Sequence, residues 1–350
     1  MAHVVFDRQT DRQTDRQNNA IDLFKFIMAV AVVAIHTNPL AGCRNDSLLK
    51  VYELLVNTAV PFFFIASGYF LALKMKWPDA LDEVTDIDRI LKQLRKIVQM
   101  YLLWTVIYLP LAVWHFVSAG TSPIKAVVIY IRGFLLVGEQ YNSWPLWYLL
   151  STIYALLVIY FIFVTKKATI RNMIWLSIGS SIVSVGLTQL ANYEGNLPSL
   201  LHVFQKIIML SIYNGRIFRG LIYIPIGMLL ANKKIPPLLD GLIFIVGVIA
   251  SMWTVSTVVK NYLLILIAIA LFEIIKSIRL NSSPIYLRLR NLSTTVYFVH
   301  MYIWSFYYKA VYGTKTYGLD SFLVTLIVSI GCYVVSDCIR THTSRKFGAR

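Results

Sequence analysis

Charged side chains are scarce in this sequence, and acidic ones are the scarcer kind. Only 14% of the 350 residues are charged, with 17 acidic residues against 33 Lys and Arg. Average globular proteins carry about 25% charged residues. Because 57% of the chain is also hydrophobic, the composition argues against a soluble domain of any size.

Several familiar signatures are missing as well. The three cysteines have no metal-ligand spacing and imply no disulfide framework, so we expect no metal site. The sequence has no G-x-S-x-G, P-loop or H-E-x-x-H motif, which leaves a Ser–His–Asp hydrolase unsupported. A signal peptide is not expected, because the first apolar segment is long and more apolar segments follow it.

Long apolar runs dominate what is present. Segments of about 17–25 residues, the length that crosses a bilayer as a helix, recur along the chain. They predict an all-α polytopic membrane protein with about ten transmembrane helices. The predicted spans are about 22–39, 53–75, 97–117, 145–165, 173–191, 217–232, 238–257, 261–277, 292–311 and 321–339.

The basic residues fit this topology. Although the net charge is +16, most Lys and Arg lie in short loops, where they act as topology signals and contact anionic lipid rather than nucleic acid. Their distribution places both termini in the cytoplasm. Segments 123–138 and 199–213 are short and interrupted by charge, so we predict interfacial or re-entrant helices there.

Three domains are predicted. Residues 1–19 carry the repeat DRQTDRQTDRQ and have no apolar face to bury, which indicates a disordered tail. Residues 20–340 form a single transmembrane domain, and residues 341–350 form a basic cytoplasmic tail.

The first span, IDLFKFIMAVAVVAIHT, contains three ionisable residues. Lys25 and His36 are eleven residues apart, so they project from one side of the helix roughly 16 Å apart, and Asp22 lies near the same face. His36 is either a general base in a low-dielectric bundle or an interfacial histidine with a hydrogen-bond partner. Lys25 is either functional or a snorkelling lysine paired with Asp22.

A second polar stripe lies in the ninth span. Ser293, Tyr297 and His300 follow each other at i, i+4 and i+7, so they share one face that must point to the bundle interior or a cavity. Such a stripe serves either chemistry or hydrogen bonding between helices.

Two basic clusters stand at the ends of spans. Arg89, Lys92, Arg95 and Lys96 precede the third span on the cytoplasmic side, where they either bind a phosphorylated ligand or set the topology. Arg216 and Arg219, at the outer start of the sixth span, run against the positive-inside trend and favour a ligand or ion-pair role. Glu273 in the eighth span is one conceivable partner for Arg219.

Five sequence elements together resemble the membrane family called acyltransferase family 3, over about residues 20–340. They are Lys25-x10-His36, the PFFFIASGYF stretch with Ser67, Lys92-Gln-Leu-Arg95 in place of R-x-x-R, LWYL with Trp147, and the Ser-x-x-x-Tyr-x-x-His of 293–300.

The resemblance implies an enzyme that transfers an acyl group from cytoplasmic acyl-CoA to a hydroxyl on an extracytoplasmic carbohydrate or cell-wall acceptor. His36 would be the base and Lys25 would orient the donor, while Lys92, Arg95 and Arg89 would bind it. The acceptor cavity would be lined by His300, Tyr297, Ser293, Ser67, Arg216, Arg219, Trp147 and Glu273. Acyl-CoA would be a co-substrate, with no permanently bound cofactor, in a bacterial cell membrane.

Within that family the sequence is most similar to the membrane domain of VanT-type serine racemases from glycopeptide (vancomycin) resistance operons. The matching stretches include EQYNSWPLWYLLSTIYAL and NGRIF. That similarity implies an alternative function, in which the domain binds or transports L-serine for a racemase. A racemase domain is not expected in these 350 residues, and a partner racemase domain or a homo-oligomer is left open.

Overall fold

The computed structural model describes residues 18–78, 83–211, 216–232 and 236–347. Nearly all of the tail predicted over 1–19, and residues 348–350 of the predicted basic tail, lie outside these ranges. The described residues form helices and contain no strand. The helices are α1 Asn19–Thr37, α2 Asp46–Asn57, α3 Ala59–Ala72, α4 Glu83–Ser118, α5 Pro123–Arg132, α6 Leu146–Val164, α7 Ile170–Ala191, α8 Ser199–Ser211, α9 Arg219–Leu230, α10 Pro237–Trp253, α11 Thr257–Ser277, α12 Pro284–Val311 and α13 Leu319–Phe347.

The prediction of an all-α polytopic membrane protein is confirmed. Seven helical stretches in the described ranges are long and apolar enough to cross a bilayer. They are Asn19–Thr37, Asp46–Ala72, Val84–Ser118, Leu146–Val164, Ile170–Ala191, Thr257–Ser277 and Leu319–Thr341.

The other predicted segments are helical too. The predicted spans at 217–232, 238–257 and 292–311 correspond to α9, α10 and α12. The segment predicted to be interfacial at 123–138 folds as α5 followed by a π-helical turn, Gly133–Val137. Ten α-helical residues extend only about 15 Å, which is half of the hydrocarbon thickness, so α5 cannot cross by itself.

The chain divides into two compact units. Residues Val60–Ser277 form one, which we call the central unit. Residues Gln17–Ala59 and Ile278–Arg350 form the other, which we call the terminal unit because it joins the two ends of the chain.

In the terminal unit, α1 and α12 pack against each other in parallel. At their starts, the Asn19 side chain donates to the carbonyl oxygen of Asn281 at 3.2 Å. Past the end of α12, the Gly318 N–H donates to the carbonyl oxygen of Thr37, the last residue of α1, at 2.9 Å. The ends of α1 are therefore fixed to segments that flank α12.

In the central unit, glycine allows α3 and α9 to approach closely. A Cβ on Gly68 would lie 2.0 Å from the carbonyl oxygen of Ile224, and a Cβ on Gly227 would lie 2.0 Å from that of Ile65. Small residues at helix crossings are how membrane helices gain packing contacts without a hydrophobic driving force. The crossing fixes the PFFFIASGYF stretch of α3 against the helix that carries Arg219.

Candidate functional site

The start of α1 carries a buried carboxylate between two cations. The Asp22 side chain is 2% exposed, and its oxygens lie 3.1 Å from the Lys25 ammonium and 3.8 Å from the Arg290 guanidinium on α12. A carboxylate taken out of water needs such partners, because an unpaired buried charge is costly. Lys25 is therefore held at the predicted donor end of α1 by Asp22, as its i, i+3 spacing predicts.

The end of α1 carries the histidine. His36 stacks on His300 of α12, with ring centroids 5.4 Å apart and ring planes 20° from parallel. The hydroxyl of Tyr52 donates to the carbonyl oxygen of Ala34 at 3.0 Å and so fixes this last turn of α1. The parallel packing of α1 and α12 thus brings two residues that the sequence singled out separately into one pair.

The polar stripe of α12 faces inward, as its spacing predicts. Ser293, Tyr297 and His300 are 3%, 6% and 0% exposed. The Ser293 hydroxyl donates to the carbonyl oxygen of Arg290 at 2.7 Å, and the Tyr297 ring meets the His300 ring edge to face at 6.4 Å.

The hydrogen bonding of His300 fixes which of its nitrogens can act as an acceptor. Nδ1 lies 3.0 Å from the carbonyl oxygen of Val296. Since a carbonyl only accepts, Nδ1 carries the hydrogen in this arrangement and Nε2 keeps its lone pair. Nε2 is buried and has no hydrogen-bond partner among the described residues. A buried acceptor without a partner is suited to receive a substrate hydroxyl or a proton.

The central unit holds the two predicted outer arginines. Arg216 forms an ion pair with Glu139 at 2.7 Å. The guanidinium carbons of Arg216 and Arg219 each lie 5.7 Å from the centroid of the Trp147 ring. Trp147 and the two arginines, all of them predicted to line the acceptor cavity, are therefore neighbours in the central unit.

The suggested pairing of Glu273 with Arg219 is wrong. Glu273 is 1% exposed and pairs with Lys276, one turn later on α11. The Lys276 ammonium also donates to the carbonyl oxygen of Leu230 at 3.0 Å. The i, i+3 spacing makes the nearby lysine the partner of Glu273.

Ser67 lies elsewhere in the central unit, on α3. Its hydroxyl accepts a hydrogen bond from the Gln93 amide at 2.9 Å. This bond connects the PFFFIASGYF stretch to the part of α4 that carries the basic cluster.

The cations in the basic cluster of α4 differ in their exposure and in their ion pairing. Lys92 is exposed and pairs with Asp88 at 2.6 Å on the same helix face, and Arg95 is exposed. Arg89 is half-buried, and its Nε has no hydrogen-bond partner in the described ranges. Of the three, Arg89 is the one with an unused donor that is already desolvated.

Sequence reasoning missed Arg290 and Glu139 as site residues. A usable signal existed for Arg290, which lies three residues before Ser293 and ten before His300 on the helix that carries the polar stripe. Glu139 lies in a loop far from Arg216 in sequence, and no local pattern marks it. Within the described ranges, no group of three His, Cys, Asp or Glu side chains could hold a metal ion.

Comparisons with known proteins give a family match over most of the chain and partial matches to racemases. A family model described as an acyltransferase domain matches residues 18–341. The chain is 28% identical over 173 residues to a serine/alanine racemase from Enterococcus gallinarum, which is 48% of this chain and 23% of that protein. It is 34% identical over 128 residues to an amino-acid racemase from Enterococcus faecalis, which is 36% of this chain and 17% of that protein.

The matched stretches thus span less than a quarter of these relatives' own length. No solved structure gives a significant match. The family match, in contrast, runs through every site residue described above, from Asp22 to His300. On that evidence this multi-pass membrane protein belongs to the acyltransferase family that the domain defines.

Proposed function

We propose that the protein transfers an acyl group from acyl-CoA, held on the cytoplasmic side of a bacterial cell membrane, to a hydroxyl of an extracytoplasmic carbohydrate or cell-wall acceptor. The observation that carries this proposal is the His36–His300 pair on the two parallel helices of the terminal unit. The family supports acyl transfer in general, and the pair supplies a group that could activate a hydroxyl.

His36 acts as the general base in this proposal. It takes the proton from the acceptor hydroxyl while the oxygen attacks the thioester carbonyl carbon. The C–O bond forms, the C–S bond breaks, and the proton passes to the departing CoA thiolate. The products are an acyl ester and free CoA.

His300 supports this step as a neutral ring. Its Nε2 lone pair can accept a hydrogen bond from a second hydroxyl of the acceptor and so orient the attacking hydroxyl toward His36. Two adjacent imidazolium groups repel each other, so only one ring of the pair is readily charged at a time. A neutral His300 therefore favours proton uptake by His36.

Cationic side chains are the groups proposed to bind the donor. Lys25 orients the donor end, and Asp22 keeps its ammonium in place. On α4, Arg89, Lys92 and Arg95 contact the phosphates of CoA. Arg89 contributes most, because its guanidinium is half-buried and its Nε has no protein partner in the described residues.

The test uses membranes that contain the protein, supplied with acyl-CoA labelled in the acyl group. His36→Ala should lower label transfer to the carbohydrate fraction by about 100-fold or more, the usual contribution of a general base. His202→Ala, at an exposed position of α8, is the matched control and should transfer at the wild-type rate. If His36→Ala transfers as fast as His202→Ala, the mechanism is abandoned.

A second function is supported by the relatives of this chain, one of which is a serine/alanine racemase. In this case the domain binds or carries L-serine for a racemase in glycopeptide resistance, and the same polar side chains line a pathway. Proteoliposomes that accumulate labelled L-serine without acyl-CoA would favour this function. Hydrolysis of acyl-CoA, or its saturable binding, would favour acyl transfer.

A further inference from the structure

Two guanidinium groups meet one indole ring in the central unit. Arg216 and Arg219, one helical turn apart, place their guanidinium carbons at the same distance, 5.7 Å, from the centroid of Trp147. The Trp147 side chain is nearly buried, and Arg219 is half-buried. A ring face attracts a cation, but it neutralises none of its charge.

The two arginines differ in how their charge is compensated. Arg216 has Glu139 as a counterion at 2.7 Å. Arg219 has no acidic residue within ion-pair distance in the part of the chain that the structure describes. This group of three charged residues and one indole therefore carries one uncompensated positive charge. An arginine that is partly withdrawn from water in this way gains from an anionic partner.

A small cavity adjoins Arg219. Its volume is about 30 Å³, far below the roughly 150 Å³ of an apolar cavity that holds a benzene molecule. Such a cavity admits the charged group of a ligand rather than a whole molecule. Its polar lining consists of neutral side chains beside the arginine, namely Ser184, Thr188, Tyr223 and Asn261.

We propose that Arg219 binds a singly charged oxyanion, with Tyr223 and Asn261 as neutral hydrogen-bond donors. One uncompensated cation matches one negative charge, whereas a dianion would need a second cation and Arg216 already has Glu139. A carboxylate of a small acid and the phosphodiester of an anionic lipid share this chemistry. The planar fork of the guanidinium fits both with two parallel hydrogen bonds.

The L-serine part of this proposal rests on the second proposed function, whereas the anionic-lipid part rests on neither function, so the two can fail separately. The 350-residue chain is placed in phosphatidylcholine nanodiscs and titrated with L-serine and with ethanolamine, which is the same molecule without the carboxylate. We expect L-serine to bind and ethanolamine not to bind. Arg219→Gln should weaken L-serine binding about tenfold or more.

The matched control is Arg171→Gln, which removes the same charge at an exposed position near the start of α7 and should bind like the wild type. Arg219→Lys, which keeps the charge and loses the fork, should bind with intermediate affinity. Asn261→Ala probes the cavity in a chain that keeps Arg219, and it should also weaken binding.

A second arm tests the lipid as the source of the oxyanion. Phosphatidylglycerol that stays bound to the purified protein is counted by native mass spectrometry for the wild type, Arg219→Gln and Arg171→Gln. Loss of one bound lipid in Arg219→Gln alone would identify the lipid, and loss of L-serine affinity alone would identify the small acid. If neither measurement depends on position 219, the proposal is wrong.

Discussion

The imidazole rings of His36 and His300 stack with their centroids 5.4 Å apart, although α1 and α12 lie near opposite ends of the chain. The same two helices hold Asp22 against Arg290 near their starts. Because α1 and α12 run in parallel, each helix carries a cation near its start and an imidazole farther along, and the two helices place these groups side by side. A donor with phosphate groups and an acceptor with a hydroxyl would meet different chemistry at these two ends.

The first prediction concerns His300. Its replacement by Phe keeps a ring that can stack on His36 and removes both nitrogens, including the buried Nε2 that has no partner among the described residues. We expect the melting temperature to stay within a few degrees of the wild type. Acyl transfer should fall about tenfold or more, since the acceptor molecule loses the hydrogen bond to Nε2 that orients its attacking hydroxyl.

Thermal unfolding in detergent and transfer of labelled acyl groups measure the two effects separately. A His300→Phe protein that melts like the wild type and transfers at the same rate would assign His300 to packing alone. A large drop in melting temperature would instead show that the Nδ1 bond to Val296 stabilises α12.

The second prediction concerns the carboxylate at the start of α1. Asp22→Asn leaves Lys25 and Arg290 without their common counterion in a site where the carboxylate is buried. Because Lys25 and Arg290 are partly exposed, the loss of stability should be about 1.5–3 kcal/mol, as for hydrogen bonds to charged groups. Glu53→Gln removes an exposed carboxylate of α2 and should leave the melting temperature unchanged. Equal melting curves for the two variants would contradict this account.

Much of the fold was predictable, because hydrophobic length is a strong signal in membrane helices. The apolar run of 22–39 corresponds to α1 at Asn19–Thr37, and the run of 145–165 corresponds to α6 at Leu146–Val164. The predicted and observed helix ends differ most where a helix continues beyond its apolar part. The apolar run at 97–117 belongs to α4, which begins at Glu83 with a charged, amphipathic segment.

The candidate site was predictable only within single helices. Spacing placed Ser293, Tyr297 and His300 on one face, and the three are buried together. Pairing between helices left no such local trace, so neither the His36–His300 stack nor the Arg216–Glu139 ion pair followed from periodicity. These contacts depend on which helices pack together, a choice that each helix's own pattern does not encode.

The third prediction separates the cations of α4 by their surroundings. Arg89 is half-buried with an unused Nε donor, whereas the Lys92 ammonium is exposed and already paired with Asp88. In the acyl-transfer proposal, Arg89→Gln should raise the KM for acyl-CoA about tenfold, the effect of one charge-assisted phosphate contact. Lys92→Gln should change it less than about threefold, as for exposed ion pairs. Equal effects on KM would show that the cluster acts only through its total charge.

The fourth prediction tests the close crossing of α3 and α9. A methyl group on Gly68 or Gly227 would come within 2.0 Å of a backbone carbonyl oxygen, so the helices must separate. We expect Gly68→Ala and Gly227→Ala to lose about 1–3 kcal/mol or more, the usual cost of overpacking. Gly179→Ala has open space around the added methyl group on α7 and should be neutral or slightly stabilising. If all three alanine variants have the same melting temperature, the crossing is looser than the structure shows.

The fifth prediction follows from the loop that carries Glu139. Burial raises the pKa of the Glu139 carboxyl, and the Arg216 guanidinium offsets only part of that rise. The folded chain therefore holds this proton more tightly than the unfolded chain. Its stability should fall as the pH increases from the ordinary glutamate range through the raised pKa.

In Glu139→Gln the side chain cannot ionise, so this variant should not show that loss of stability with rising pH. The melting temperature of the wild type relative to Glu139→Gln should therefore decrease as the pH rises across this window. Glu194→Gln, at an exposed loop position of the same unit, is the control, and its melting temperature should change with pH as that of the wild type does. If the wild type instead gains stability over Glu139→Gln with rising pH, the ion pair with Arg216 outweighs burial.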